Sequence, residues 1–117
     1  MSTPEHPAQD PADAPSPIGP VTEMVDLHVA EGAEAAFEAA VAEAAALFRD
    51  HHAVSFHLTR QVEEPRRYRL LVGWARIEDH TVGFRKSEAF PAWRALVTPH
   101  LAEPPVATHW ADVVGVG

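Results

Sequence analysis

Cysteine is absent from this chain of 117 residues, so disulfide bonds, thiolate zinc sites and cysteine nucleophiles are excluded. Basic residues are scarce: nine Lys and Arg stand against 17 Asp and Glu, a net charge of −8 with histidine neutral. Such a surface repels phosphate backbones, so nucleic acid is not an expected partner. No apolar run approaches the roughly 20 residues that cross a bilayer, and the acidic, proline-rich start is unlike a secretory signal. We therefore expect a cytoplasmic protein with no membrane partner.

The length and the lack of an internal repeat predict one folded domain. Residues 1–20 hold six of the 11 prolines and few apolar residues, which is typical of a disordered tail. The domain is expected over residues 21–114, and residues 115–117 are expected to form a short C-terminal tail.

The first half of the domain has strand, helix and strand periodicity. Alternating apolar residues over 21–29 predict a strand. Residues 33–50 predict a helix, whose apolar stripe consists of Phe37, Val41, Ala44 and Phe48. Residues 54–62 predict a second strand, with Val54, Phe56 and Leu58 on one face and Ser55, His57 and Thr59 on the other.

The second half predicts a strand over 67–76 with both faces apolar, then helical turns over 79–86 interrupted by Gly83. Ser87 offers an N-cap to a further helix, which Pro99 ends. The last strand is expected over 106–114, with His109 and Trp110 on opposite faces. This β-α-β-β-α-β order predicts an α+β, ferredoxin-like fold.

The sheet of such a fold has helices on one face only, and its second face is too apolar here to lie in water. Two copies packed sheet against sheet would cover it. We therefore expect a homodimer.

His80 is the strongest candidate for a functional residue. It follows Glu78-Asp79, whose charge suits a helix N-terminus, and it lies six residues after Trp74 at the end of the central strand. Imidazole titrates near neutrality, so His80 can act as a base or a hydrogen-bonding partner. Two alternatives stay open: an exposed His80, and a Trp74 that belongs to the ordinary core.

The run from Trp74 to Trp93, WARIEDHTVGFRKSEAFPAW, resembles the third-strand and second-helix signature of the antibiotic biosynthesis monooxygenase (ABM) domain family. The order of elements from Val21 to Val114 is similar to the family pattern. The resemblance implies a dimeric α/β barrel. It also implies a cofactor-independent monooxygenase that oxidises anthrones or quinols with O2, although other members degrade haem and some relatives are isomerases.

Four positions compare directly with the family pattern. Trp74 matches a tryptophan that lines the pocket of anthrone-oxidising relatives, whereas His80 replaces their tyrosine and Leu70 replaces their asparagine. Phe84 stands where haem-degrading members carry a histidine ligand, so haem is not expected. We expect no cofactor and no metal, with O2 as co-substrate.

The expected function is therefore oxidation of an anthrone- or quinol-like aromatic metabolite, with His80 and Trp74 as catalytic residues. Arg76 or Arg85 would stabilise a phenolate as a fixed cation. The full set expected to bind substrate is Phe56, His57, Leu70, Val72, Arg76, Phe84 and Arg85. Two alternatives remain: a non-oxidative small-molecule-binding or isomerase-type dimer, and an accessory dimer without chemistry.

Overall fold

The computed structural model describes residues 20–115 as a four-stranded antiparallel sheet with helices on one face. The strands are β1 (Val21–His28), β2 (Ala53–Arg60), β3 (Arg67–Trp74) and β4 (Val106–Ala111), in the spatial order β2-β3-β1-β4. The helices are α1 (Glu34–Arg49), a π-helix (Asp79–Phe84), α2 (Ala89–Val97) and a 3₁₀ turn (Thr98–His100). The predicted α+β, ferredoxin-like order is confirmed. Apart from Pro20 and Gly115, the two predicted tails lie outside the described residues.

The core lies between the sheet and α1, as the periodicity predicts. The stripe on α1 is buried at all four expected positions, Phe37, Val41, Ala44 and Phe48. On the sheet, alternate residues of β1 and β3 face the helices and are buried. Because antiparallel neighbours pair residue by residue, Val25 lies opposite Leu70 and Val21 opposite Trp74 on the same face.

Phe48 is the centre of an aromatic cluster that joins most elements of the domain. Its ring stacks on Phe84 with centroids 4.4 Å apart, and it lies 5.0 Å from both Phe56 and Trp93. Aromatic pairs at these distances contribute about 0.5–1.5 kcal/mol each beyond the area they bury. The cluster therefore holds α1 against β2, the π-helix and α2.

The prediction for Val54 is wrong. A register shift between Ala53 and Ser55 inserts Val54 as an extra residue in β2, and its side chain is 64% exposed. Phe56 and Leu58 still pack against the core as expected. Gly73 on the neighbouring strand has no side chain, which leaves room for the hydroxyl of Ser55 beside the bulge.

The other differences concern the ends of elements. Residues 79–84 form a π-helix rather than ordinary helical turns, and β4 ends at Ala111 instead of residue 114. Ser87 lies one residue before the N-cap of α2, yet its Oγ accepts a hydrogen bond from the backbone N–H of Ala89 at 3.1 Å. It therefore satisfies one free N–H group at the start of α2.

The sheet face opposite the helices carries exposed apolar side chains. Val106 and Trp110 alternate along β4 on this face and are 58% and 55% exposed. Leu71 of β3 and Met24 of β1 pair with each other here and are half-buried. This face is called the open face below.

Replacing Phe48 with Ala is expected to destabilise the domain by about 3–5 kcal/mol, because the cavity would remove contacts to three other buried rings. Urea unfolding followed by circular dichroism measures the change. The control is Val62→Ala, since Val62 is 89% exposed and packs against little. Equal stability of the two variants would contradict a core centred on Phe48.

Candidate functional site

Four side chains from four parts of the fold form one continuous chain of polar contacts inside the domain. The indole N–H of Trp74 donates to Glu23 Oε1 at 3.0 Å. Glu23 Oε2 lies 3.2 Å from His80 Nε2, and His80 Nδ1 lies 2.7 Å from His109 Nε2. This Trp74–Glu23–His80–His109 group is called the relay below.

The sheet register brings three members of the relay together. Glu23 occupies an apolar position of β1, in phase with Val21 and Val25, so its side chain must face the helices. His109 lies directly opposite Glu23 on β4, and Trp74 lies two positions along on β3. The relay therefore crosses three adjacent strands on their helix-facing side.

The π-helix supplies the fourth member. Its wider turn is marked by the hydrogen bond from the backbone N–H of Arg85 to the carbonyl of His80, 2.9 Å and five residues apart. His80 is only 2% exposed, and its ring stacks on Trp74 at 5.4 Å with a 22° interplanar angle. Phe84, at the other end of the π-helix, covers the same two rings.

Burial shifts the protonation equilibria of all three titratable groups in the relay. It raises the pKa of the Glu23 carboxyl to about 7, although the Trp74 hydrogen bond and the charge of Arg85 act in the opposite direction. It lowers the pKa of His80 to about 3, and His109 and Arg85 reinforce this change. The pKa of His109 is also lowered by burial and by Arg85.

These shifts decide the nature of the contact between Glu23 and His80. Both favour uncharged groups, so at pH values below 7 the 3.2 Å contact joins a neutral carboxyl group to a neutral imidazole rather than an ion pair. Above that pH the carboxylate is the charged form, and the indole N–H and Arg85 stabilise it. The relay can thus gain or lose one proton near neutrality.

The structure brings most of the sequence-predicted site residues to this side of the sheet. His80 and Trp74 are in the relay, and Phe84 contacts both. Arg85 is exposed but acts electrostatically on Glu23, His80 and His109. Leu70 and Val72 are fully buried core residues on β3, and Phe56 is half-buried against Phe48.

Two predicted site residues lie elsewhere. His57 pairs with Leu71 and points to the open face, because it alternates with Phe56 along β2. Arg76 is exposed and lies 3.6 Å from Glu78 in an ion pair. The structure does not bring either one to the relay.

Glu23 and His109 were not among the predicted site residues. Glu23 had a signal in the sequence, since it is an acid in phase with the buried apolar residues of a strand, and a buried acid needs partners. For His109, the only signal in the sequence was its alternation with Trp110 along the last strand. Its role depends on the β1–β4 register, which spans the length of the domain.

A cavity of about 590 Å³ lies at the other end of the sheet, near Asp26, Thr59 and Arg69. Its charged groups are already paired, for example Arg69 with Asp26 at 2.9 Å. It contains neither Trp74 nor His80, so we place the candidate site at the relay, where the unusual protonation equilibria are.

Metal and haem ligation do not match the residues of the relay. In residues 20–115, no three His, Cys, Asp or Glu side chains converge as metal ligands. The relay itself is linear, and both ring nitrogens of His80 point to other members of it. Phe84 is a buried ring with no donor atom. Among the helices of the described residues, none has the length and apolar character needed to cross a bilayer.

Comparisons with known proteins agree with this architecture. Residues 20–96 match the family model for antibiotic biosynthesis monooxygenase. An uncharacterized Bacillus subtilis protein, YczJ, is 38% identical over 94 residues, which cover 80% of this chain and 99% of YczJ.

Solved structures extend the comparison. A family protein from Bordetella bronchiseptica superimposes with a TM-score of 0.79 at 40% identity, covering 82% of this chain and 99% of that one. SnoaB, a cofactor-independent oxygenase from Streptomyces nogalater, superimposes with a TM-score of 0.73 at 18% identity, covering 84% of this chain and 97% of SnoaB. At that identity the match to SnoaB shows the fold alone.

The sheet order and the helices on one face define an α+β protein of the ferredoxin-like class. Within that class, the chain belongs to the antibiotic biosynthesis monooxygenase family.

A Glu23→Gln variant tests the raised pKa of Glu23. A carboxyl whose pKa rises from 4.5 to about 7 on folding stabilises the fold at low pH, and this contribution is lost as the pH rises through 7. Relative to Glu23→Gln, the wild type should therefore lose about 2 kcal/mol of unfolding free energy between pH 5 and pH 8.

His80 changes the unfolding free energy with pH in the opposite direction. The test therefore uses the difference in unfolding free energy between the wild type and Glu23→Gln. Its lowered pKa costs stability as the pH falls below 6.5. Urea unfolding at several pH values gives the measurement, with exposed Glu43→Gln as the control. A wild-type-to-variant difference that does not change with pH would contradict the shift.

Proposed function

We propose that this protein is a cofactor-independent monooxygenase that oxidises an anthrone- or quinol-like aromatic metabolite with O2. The observation that carries the proposal is the relay: a buried acid–base group able to exchange one proton near neutral pH, set among aromatic rings. Family membership supports the reaction class. SnoaB, which has the same fold, is a cofactor-independent oxygenase.

The chemistry needs a base but no external reductant. In an anthrone, a CH₂ group lies between two aromatic rings, and removal of one proton leaves an electron-rich enolate. The enolate gives one electron to O2, and the two radicals combine to form a carbon-bound peroxide. Loss of the second C–H proton and cleavage of the O–O bond give a carbonyl group and water. The CH₂ group loses four electrons and O2 accepts all four, so the reaction balances.

The residues of the site have distinct parts in this scheme. The relay takes the proton from the substrate and returns it to the peroxide. Arg85, an exposed permanent cation whose charge acts on the relay, stabilises the phenolate form of the enolate. Trp74 acts as a positioning residue, because it is fully buried and its N–H is bonded to Glu23.

A second function has a specific observation in its favour. The relay can move a proton without O2, so the same residues would serve a non-oxidative isomerase. Comparing substrate conversion with and without O2 separates the two reactions, because an isomerase works equally well in both.

Oxygen uptake with His80→Gln tests the proposal. Wild-type protein, without added metal or flavin, should consume O2 with anthrones or reduced quinols faster than spontaneous oxidation. His80→Gln should lower kcat by about 100-fold or more, because it breaks the acid–base chain. An oxygen electrode provides the rates.

The control is His52→Asn. His52 is exposed and has a positive φ of 75°, which Asn tolerates. Wild-type rates no higher than the spontaneous reaction would contradict the oxygenase. Unchanged rates in His80→Gln would contradict the role of the relay.

The second part of the proposal is a homodimer that packs the open faces of two copies together. Trp110 and Val106 are more than half exposed on this face, and large exposed apolar patches are typical of interfaces. A sheet with helices on one side needs such cover on the other. The partner is a second copy because the family resemblance implies a dimeric barrel.

Trp110→Glu is expected to shift the protein from dimer to monomer, because it would place two carboxylates in the interface. Sedimentation velocity gives the mass in solution. Val62→Glu is the control, since Val62 lies in the β2–β3 connection and not on the open face. A wild-type monomer, or a Trp110→Glu variant that remains dimeric, would contradict this arrangement.

A further inference from the structure

His80 cannot itself accept a proton from a substrate in this arrangement. An imidazole ring has two nitrogens, and both of them are engaged here: Nε2 with Glu23 at 3.2 Å and Nδ1 with His109 at 2.7 Å. The residue is also only 2% exposed. A substrate proton must therefore enter the relay at one of its ends.

The Glu23 end is closed. Glu23 is 4% exposed, and one carboxyl oxygen accepts the Trp74 N–H while the other faces His80. The His109 end is open. His109 is half-buried on β4, which is an edge strand of the sheet, and its Nδ1 has no hydrogen-bond partner within residues 20–115.

We infer that His109 Nδ1 is the atom that exchanges the proton with the substrate, and that the proton comes to rest on Glu23 by way of His80. The inference depends on the proposed function and makes it more specific. His109 becomes the catalytic residue, and His80 becomes a positioning residue that conducts the proton.

The proton count is consistent at every atom. In the base form, Glu23 is a carboxylate, His80 carries its hydrogen on Nε2 and His109 carries its hydrogen on its own Nε2. His109 Nδ1 then has a free lone pair. When Nδ1 takes the substrate proton, the Nε2 hydrogen of His109 moves to His80 Nδ1, and the Nε2 hydrogen of His80 moves to Glu23. Each ring changes tautomer, and neither ends as a cation.

This route agrees with the electrostatics of the site. Burial lowers the pKa of both histidines, so an imidazolium at either position is disfavoured. The final acceptor is Glu23, whose pKa is raised to about 7, close to the value that suits a general base at neutral pH.

Few other charges act on the relay. Arg85, just after the π-helix, acts on all three of its titratable members. β3 and α1 present aromatic rings, Trp74 and Phe48. The His51 ring lies on the far side of Phe84, at 5.9 Å from it, and its Nδ1 bonds the carbonyl of Leu47.

Histidine tautomers test the inference without any substrate. In full-length protein with ¹⁵N-labelled histidine, NMR should show protonated Nε2 on both His80 and His109 at pH 9. At pH 5 both should carry the hydrogen on Nδ1 instead, with a midpoint near pH 7. Signals are assigned with His80→Gln and His109→Gln. In Glu23→Gln the switch should vanish, because glutamine cannot take up the proton. Tautomers that do not change with pH, or a switch that persists in Glu23→Gln, would overturn the inference.

Kinetics give the second test. If the wild type consumes O2, His109→Gln and Glu23→Gln should each lower kcat by about 100-fold, with the rise of the wild-type rate around pH 7 lost in Glu23→Gln. A wild-type rate in His109→Gln together with an inactive His80→Gln would overturn the inference and restore His80 as the base. A wild type that consumes no O2 would refute the proposed function alone, since the tautomer switch is judged independently.

Discussion

A carboxyl group buried among apolar side chains must find hydrogen-bond partners, and Glu23 imposes this requirement on the whole site. Its position on β1 is fixed by strand alternation, so the partners have to come to it. Trp74 on β3 reaches it through the sheet register, and His80 reaches it from the π-helix. His109 on β4 in turn contacts His80. If β1 or β3 slipped by one residue, the carboxyl group would lose its contact with Trp74, and a slip of β4 would remove His109 from His80, because side chains on strands alternate between faces. The need of the buried Glu23 carboxyl group for hydrogen-bond partners therefore also fixes the register of the strands.

The aromatic cluster around Phe48 also helps to hold the residues of the relay in place. Phe84 stacks on Phe48 and covers His80 and Trp74, so the ring that holds the π-helix in place also keeps water from the relay. Low polarity around the relay is the reason its protonation equilibria lie far from their ordinary values. Packing and acid–base behaviour are thus two results of one arrangement.

Periodicity was enough to predict the order of elements and the buried stripe of α1, since both depend on local patterns. It could not predict the π-helix, because an extra residue per turn leaves no clear trace in a six-residue segment. It also placed Val54 on the wrong face of β2, because a bulge at that residue breaks the alternation. His80 was identified by its residue type and position. The relay was not, since the partners of His80 are 57 and 29 residues away and meet it only through tertiary pairing.

The location of His109 has a consequence for how heat would affect this protein. β4 pairs only with β1, so nothing on its outer side within residues 20–115 holds it in the sheet. Edge elements of this kind open at a lower free-energy cost than the centre of a sheet. Detachment of β4 would separate His109 from His80 while the Phe48 cluster and the other three strands stayed in place. Because the proposed dimer also holds β4 through Val106 and Trp110, this opening would accompany dissociation of the dimer, and warming would then inactivate the acid–base group while the rest of the domain stayed folded.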